Sequence, residues 1–199
     1  MRGSSAWGLA LAGLLLSGCA AIPGFGPAPV DAYDIAAPVL PDTGRRLSRT
    51  QVLVPEPSAL KVLDGQDLVV RTPTGAVQLL GGARWSDRLP RLVQARLVEA
   101  YQNSGRVGGV GRPGEGLAID YQVIVDIRAF EIRPGGGDRA HVELHARVLN
   151  DRNGVVRASH DFTAIAPVAG SGTEALVAAL DRAFQHAAAE IVDWSIGVM

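Results

Sequence analysis

Three segments in the second half of the chain alternate between apolar and polar residues. From Ile119 to Ile132 apolar side chains occupy nearly every second position, and the runs at 140–149 and 155–166 repeat the pattern. An alternation with a period of two is typical of strands that bury one face. Asn153-Gly154 stands before the third run, and this dipeptide favours a tight turn. The pattern predicts a three-stranded antiparallel meander with one buried face.

Shorter apolar runs come earlier in the chain. Residues 33–35 and 51–54 each predict a brief strand. The segments 68–71 and 76–80 flank Thr72-Pro73-Thr74-Gly75, whose proline and glycine are turn residues. These two segments predict a hairpin.

Two segments have the period of 3.6 residues that is typical of amphipathic helices. In the first, Ser86 or Asp87 is the expected N-cap, Pro90 falls in the first turn and Gly105 follows the end. The second opens on Ser171-Gly172-Thr173-Glu174, which matches a capping box. The apolar stripe of the first helix is Trp85, Leu89, Leu92, Val93, Leu97, Ala100 and Tyr101, and that of the second is Leu176, Val177, Leu180, Phe184, Ala187, Ile191 and Trp194. The order of elements predicts one α/β domain over residues 33–199, with a sheet covered by two helices.

The first eighteen residues have the pattern of a secretory signal. Arg2 is the short positive region, and Ala6 to Leu16 form an apolar stretch too short to span a bilayer. The segment ends in Leu16-Ser17-Gly18-Cys19, which resembles the lipobox of bacterial lipoproteins. In that class the chain is cut before the cysteine, which is then acylated, with palmitate as an expected acyl group. Cys19 is therefore the predicted lipid attachment site.

A short tether follows the predicted anchor. Residues 19–32 comprise Cys19 and a segment rich in proline and glycine, whose thirteen residues after the cysteine span at most about 45 Å. Ala20, rather than Asp, follows the cysteine. By resemblance to Gram-negative lipoproteins this favours export to the outer membrane, with the domain facing the periplasm.

Composition narrows the classes of function. The 199 residues carry 19 Lys and Arg against 20 Asp and Glu, and cleavage at Cys19 removes Arg2. This balance argues against a nucleic-acid-binding protein, which usually has a large basic excess. Because Cys19 is the single cysteine, an internal disulfide or a cysteine-cluster zinc site is excluded.

Three short motifs resemble catalytic or binding sequences. Residues 109–114 match G-x-G-x-x-G, but a dinucleotide site needs a preceding strand and a following helix, so we interpret them as a flexible connector. His141, Glu143 and His145 share one strand face. His141 and His145 would lie about 13 Å apart, too far for one metal ion. His141 and Glu143 could bind one ion only if another element supplied a third ligand. Ser159-His160-Asp161 cannot form a hydrolase triad, because neighbouring strand residues point to opposite faces. We predict a solvated polar face, no catalytic residues, no metal and no cofactor.

Four arginines, Arg84, Arg88, Arg91 and Arg96, are assigned to the polar side of the first helix. A solvated helix face is the simpler interpretation. Contact with acidic lipid headgroups or with an acidic partner is the alternative.

The chain resembles the ABC-type transport auxiliary lipoproteins, the family of the paraquat-inducible protein C. The resemblance covers about residues 33–195. It is carried by Tyr33-Asp34-Ile35, Gln51-Val52-Leu53-Val54-Pro55, Leu68-Val69-Val70-Arg71, Arg84-Trp85-Ser86-Asp87-Arg88-Leu89, Asp120-Tyr121-Gln122-Val123 and Arg128-Ala129-Phe130. The glycine-rich loop at 105–116 departs from the family pattern.

The resemblance implies a three-layer α/β fold similar to the N-terminal domain of TolB, with a mixed, mainly antiparallel sheet of about five strands and Trp85 in the core. It also implies a non-enzymatic role as an auxiliary component of an Mce-type ABC lipid transport system. The partners would be the inner leaflet of the outer membrane, an Mce-domain protein and phospholipid, and a homo-oligomer is left open. The alternatives are an assembly or pilot lipoprotein of another envelope machine, or a periplasmic enzyme.

Overall fold

The computed structural model describes residues 30–41 and 43–199, and within them the chain forms nine strands and two helices. The elements in chain order are β1 (Asp31–Tyr33), β2 (Leu47–Leu53), β3 (Ser58–Ala59), β4 (Asp67–Arg71), β5 (Val77–Trp85), α1 (Leu89–Ser104), β6 (Val107–Gly111), β7 (Tyr121–Arg133), β8 (Arg139–Asn150), β9 (Val155–Pro167) and α2 (Thr173–Val198). The expected count of about five strands was wrong. Short strands such as β3 form through their sheet partners, which a local pattern does not reveal.

Strand β7 is the centre of the sheet. One of its edges pairs with β8 along its whole length, and β8 pairs in turn with β9, both antiparallel. The other edge is shared by β2, β3 and β4, which lie one after another along β7 and parallel to it. Strand β6 extends this edge beside β2, while β5 and then β1 extend it beside β4. The sheet is therefore mixed and open, and it contains both the predicted meander and the predicted β4–β5 hairpin.

Both helices pack on the same face of this sheet. The ring of Phe130, on β7, contacts Trp85 and also Phe184 of α2, at centroid distances of 5.6 and 6.1 Å. In the same core the Tyr101 hydroxyl of α1 lies 2.5 Å from Ser195 Oγ of α2. The described residues thus form two layers, and the expected third layer is absent from them. The sheet surface opposite the helices is called the outer face below.

Helix α1 begins four residues later than its apolar stripe predicts. Trp85 is the last residue of β5 and is 1% exposed, so it is the expected core residue but belongs to the sheet. The N-cap is Arg88, which makes no capping hydrogen bond through its side chain, so the predicted caps Ser86 and Asp87 were wrong. Pro90 does lie in the first turn, and Gly105 ends the helix in the left-handed conformation, with φ 58°.

Helix α2 has the predicted apolar stripe without the predicted cap. Val177, Leu180, Phe184 and Ile191 are buried as expected. The N-cap is Gly172, which has no side chain to bond the first turn, so the capping box was wrong. No helix among the described residues is long and apolar enough to cross a membrane.

Candidate binding surface

The glycine-rich motif at 109–114 forms the predicted connector only in its second half. Residues 107–111 are strand β6, which pairs in parallel with β2. A Cβ placed on Gly108 would lie 2.5 Å from the carbonyl oxygen of Ser48, so the glycine permits a close approach of two backbones. Residues 109–111 of the motif therefore belong to the sheet, residues 112–114 lie in the loop after β6, and the motif does not precede a helix.

The histidines on β8 are less exposed than the predicted solvated face. His141 is 8% exposed, and its Nε2 lies 3.8 Å from Glu143 Oε2. Burial, together with the nearby charge of Arg133, lowers the pKa of His141. His145 hydrogen-bonds Asp161 on β9. Among the described residues no three His, Cys, Asp or Glu side chains form a group that could hold a metal ion.

Ser159, His160 and Asp161 do not form a triad. His160 lies on the helix side of β9, where its ring is 6.0 Å from that of Trp194. Asp161 lies on the outer face, where it binds His145 and accepts a 2.7 Å hydrogen bond from Arg128. The hydrogen bonds from His145 and Arg128 lower the pKa of Asp161. Asp161 is thus an acceptor in a network of surface ion pairs.

The four arginines assigned to the first helix are divided between two elements and the turn that joins them. Arg84 is an exposed residue of β5, and Arg88 precedes the helix and binds Glu56 and Asp64. Arg91 lies 3.7 Å from a Glu56 oxygen, and Arg96 donates to Asp34 and to the carbonyl of Ile35. Because three of the four guanidinium groups have partners within the chain, they fasten α1 to neighbouring loops. For these three arginines the arrangement disfavours both the predicted solvated helix face and the alternative of contact with acidic lipid headgroups or an acidic partner.

A buried acid on the outer face was missed by the sequence reasoning. Glu131, on β7, is 0% exposed and accepts hydrogen bonds from Arg71 Nε at 2.7 Å and from Arg133 Nε at 2.9 Å. Burial alone would raise the pKa of Glu131, but the two arginines outweigh it and hold the pKa below its ordinary value. The carboxylate is therefore ionised at neutral pH.

A change of phase along β7 could have revealed this acid. The odd-numbered residues Val123, Val125 and Ile127 face the core, whereas Phe130 and Ile132 face it further along. The pairing with β8 is irregular between Ile127 and Ala129, which is the signature of a β-bulge. The bulge turns Glu131 to the outer face, although an unbroken alternation would place it in the core.

The outer face between β4 and β9 is thus a surface of charged groups with apolar residues at its sides. Arg71, Arg133 and Arg139 lie on adjacent strands, and a cavity lined by Arg133, Pro134, Gly135, Arg139, His141 and Ile165 opens beside them. Guanidinium groups on a rigid sheet are suited to bind anions. The predicted attachment site, Cys19, and the predicted signal peptide lie outside the described residues.

The described residues form an α/β domain in which two helices cover one face of an open mixed sheet. The model of the ABC-type transport auxiliary lipoprotein components matches residues 33–192. The chain belongs to this family.

The chain is also similar to other bacterial proteins. Protein XCC0632 from Xanthomonas campestris is 30% identical, with a TM-score of 0.79 over 85% of this chain and 96% of that one. The hypothetical protein CT253 from Chlamydia trachomatis shares the fold at 10% identity, with a TM-score of 0.54 over 75% of this chain and 97% of its own. An uncharacterised protein of Bradyrhizobium diazoefficiens is 31% identical over 183 residues, which is 92% of this chain. The chain spans about half, 49%, of the length of that relative.

Proposed function

We propose that this protein is a membrane-anchored periplasmic lipoprotein that acts as a non-enzymatic auxiliary component of an Mce-type ABC lipid transport system. The observation that carries the proposal is the family match over residues 33–192, since the family is defined as an auxiliary lipoprotein component of ABC-type transport. The placement of His160 on the helix side of β9 and of Asp161 on the outer face supports a non-enzymatic role, because Ser159, His160 and Asp161 cannot act together as a triad.

The proposed anchor is Cys19, held in the inner leaflet of the outer membrane. Diacylation and N-acylation of one residue give stable anchoring, whereas a single acyl chain is marginal. A tether of thirteen residues extends at most about 45 Å, so the domain would need a partner that reaches from the inner membrane. An Mce-domain protein fills that role in this proposal.

Crosslinking in intact cells tests the partner. Photoreactive residues at Thr163 and Ile165 would sample the outer face. Photoreactive residues at Arg182 and His186 form the matched set, which samples the exposed side of α2 in the other layer. We expect crosslinks to an Mce-domain protein from one set and not from the other, because a specific interface covers one continuous patch. Both sets are exposed, so expression and folding should be alike.

Two results would contradict the proposal. Crosslinks only to components of another envelope machine, with the Mce-domain protein expressed, would favour the pilot-lipoprotein alternative. Turnover of a periplasmic substrate by the purified protein, lost on substitution of a side chain in the outer-face network, would favour an enzyme.

A further inference from the structure

Three arginines form a row across the outer face. Arg133 and Arg139 are direct cross-strand partners on β7 and β8. Arg71 follows Val70, which pairs with Ile132, so Arg71 lies beside Arg133 on the other side. Side chains opposite one another in a sheet lie about 5 Å apart, and like charges there repel. A row of three guanidinium groups therefore needs a compensating negative charge.

Glu131 compensates only part of this charge. It binds Arg71 and Arg133 through their Nε atoms, and among the described residues their terminal amino groups have no hydrogen-bond partner. The two side chains are 36% and 45% exposed, so these amino groups remain accessible. Arg139 is exposed and has no ion-pair partner in the described part of the chain. One carboxylate thus orients two of three guanidinium groups.

A cavity of about 330 Å³ lies beside the row. It is lined by Arg133, Pro134, Gly135, Arg139, His141 and Ile165, with no acidic side chain among them. The acids near the cavity are Glu131, which binds Arg133, Asp138 in the exposed β7–β8 turn, and Glu143, which lies near His141. The cavity wall itself presents two guanidinium groups, and its volume is large enough for a small anionic group.

Apolar side chains border the charged row on both sides. Leu79 on β5 is 53% exposed and pairs with Val69, while Ile165 on β9 is 57% exposed and pairs with His141. Val77, the cross-strand partner of Arg71, is 42% exposed. A ligand that carries both an anion and hydrocarbon would satisfy the charged row and cover these side chains.

We propose that this outer-face site binds a phospholipid, with the phosphate group held by Arg71, Arg133 and Arg139 and the hydrocarbon lying against Ile165 or Leu79. Arginine binds phosphate through two parallel N–H donors, and a guanidinium fixed at Nε presents its remaining donors in a set direction. The exposed apolar side chains beside the row favour a phospholipid over an acidic protein surface, because the hydrocarbon of the lipid would cover them. The inference rests on the proposed role in lipid transport, for which it names the ligand-binding site.

Calorimetric titration of the full-length protein in maltoside micelles tests the site. The probes are dihexanoyl phosphatidylglycerol, dihexanoylglycerol, which lacks the phosphate, and inorganic phosphate. Arg139→Gln removes a guanidinium without breaking an ion pair of the described residues, and Arg139→Lys restores the charge without the planar fork. Arg157→Gln is the matched control, because Arg157 is exposed on β9 about 27 Å along the strand from Ile165.

We expect the phospholipid to bind more tightly than either of the other probes. Arg139→Gln should weaken its binding about tenfold, the loss typical of one charge-assisted contact. Arg139→Lys should recover part of this loss, and Arg157→Gln should stay within about twofold of the parent protein.

Three results would overturn the inference: no binding of the phospholipid, equal affinity for phospholipid and inorganic phosphate, or equal weakening by Arg139→Gln and Arg157→Gln. The second would indicate a site for free phosphate, and the third would indicate a general effect of surface charge. Each leaves the crosslinking result for the partner unaffected, so failure of this site is distinguishable from failure of the proposed function.

Discussion

Glu131 supplies the buried negative charge that pairs with Arg71 and Arg133 on the outer face. Its carboxylate is fully buried, while Arg71 and Arg133 are partly hydrated. Loss of one partner of a buried pair is costly because the remaining charge is left uncompensated. Loss of the Glu131 carboxylate should cost less than this, because the guanidinium groups of Arg71 and Arg133 can be hydrated when they lose it.

Glu131→Gln should lower the free energy of unfolding by about 1–3 kcal/mol, because a neutral amide replaces an acceptor of charged hydrogen bonds. Urea unfolding of the purified protein measures this change. Glu190→Gln is a matched control on the exposed side of α2, where the change should be below about 0.5 kcal/mol. Equal stability of the two variants would contradict the structural role of Glu131.

The contribution of Glu131 should depend on pH. Its pKa in the folded chain is below its ordinary value of 4.5, so the stabilisation is complete above about pH 5 and is lost as the pH falls through the folded-state pKa. The stability difference between the parent protein and Glu131→Gln should therefore shrink as the pH is lowered from 7 to 3. Urea unfolding at successive pH values measures it. A difference that stays constant over this interval would show that the carboxylate is not held ionised by Arg71 and Arg133.

At the scale of elements, a hydroxyl pair joins the two helices. Tyr101 on α1 and Ser195 on α2 are both buried, and Ser195 Oγ also lies 3.0 Å from the carbonyl oxygen of Val192. The two sides of this contact are unequal. Ser195 keeps a partner when Tyr101 is changed, whereas Ser195 is the sole hydrogen-bond partner of the Tyr101 hydroxyl among the described residues.

Ser195→Ala should therefore destabilise the protein more than Tyr101→Phe, with losses of about 2 and about 1 kcal/mol in the free energy of unfolding. The larger loss is expected for Ser195→Ala because it leaves the buried Tyr101 hydroxyl without a hydrogen-bond partner among the described residues. Urea unfolding of both single variants and of the double variant measures the losses and their coupling. A greater loss for Tyr101→Phe would contradict this assignment of partners.

Strand β6 lies close to β2 because Gly108 has no side chain. In Gly108→Ala the new methyl group would meet the backbone of Ser48 and Arg49 at 2.5–3.1 Å, so the two strands would have to separate. We expect a loss of about 1–3 kcal/mol in the free energy of unfolding.

The matched control is Gly81→Ala on β5, where a Cβ meets no atom within 4 Å and φ is not positive. This substitution should be neutral or slightly stabilising, because it restricts the unfolded chain. Thermal unfolding of both variants provides the comparison. A tolerated Gly108→Ala would indicate that the parallel pairing of β2 and β6 is wrong.

At the scale of the whole molecule, the predicted lipid anchor decides where the domain works. Cys19→Ala should abolish incorporation of labelled fatty acid, because the chain has no other thiol to accept the diacylglycerol. Ser17→Ala keeps a small residue before the cleavage site and should retain the label. Metabolic labelling followed by membrane fractionation measures both. Full labelling of Cys19→Ala would contradict the lipoprotein assignment.

Local periodicity was sufficient for the long elements. Strands β7, β8 and β9 and helix α2 each bury a stripe that repeats over many residues, so their type follows from spacing alone. The turn before β9 could be predicted as well, since Gly154 has φ 69°, which a side chain disfavours. The family could also be recognised from short motifs, although most of them lie on the short strands β1, β2, β4 and β5 and only 120–123 and 128–130 lie at β7.

Prediction from the sequence fails where a residue fits the pattern of both a helix and a strand. Trp85 has the spacing of the first helix, yet it continues β5 because Arg84 pairs with Asp67 and Trp85 pairs with Tyr33 of β1. Strand β6 consists of five valine and glycine residues with no clear period, and only its partner β2 makes it a strand. Non-local pairing outweighs local preference at such positions.

The sequence by itself determined the long strands and helices and the family, because each rests on neighbouring residues, while the attachment at Cys19 stays a prediction. Only the tertiary structure decided that both helices share one face, and that Arg71, Glu131, Arg133 and Arg139 come together on the other. The physical reason is the bulge in β7, since one extra residue reverses which face the following side chains occupy. The face that Glu131 occupies depends on the register between β7 and β8, and the residues that pair across these strands are not neighbours in the chain.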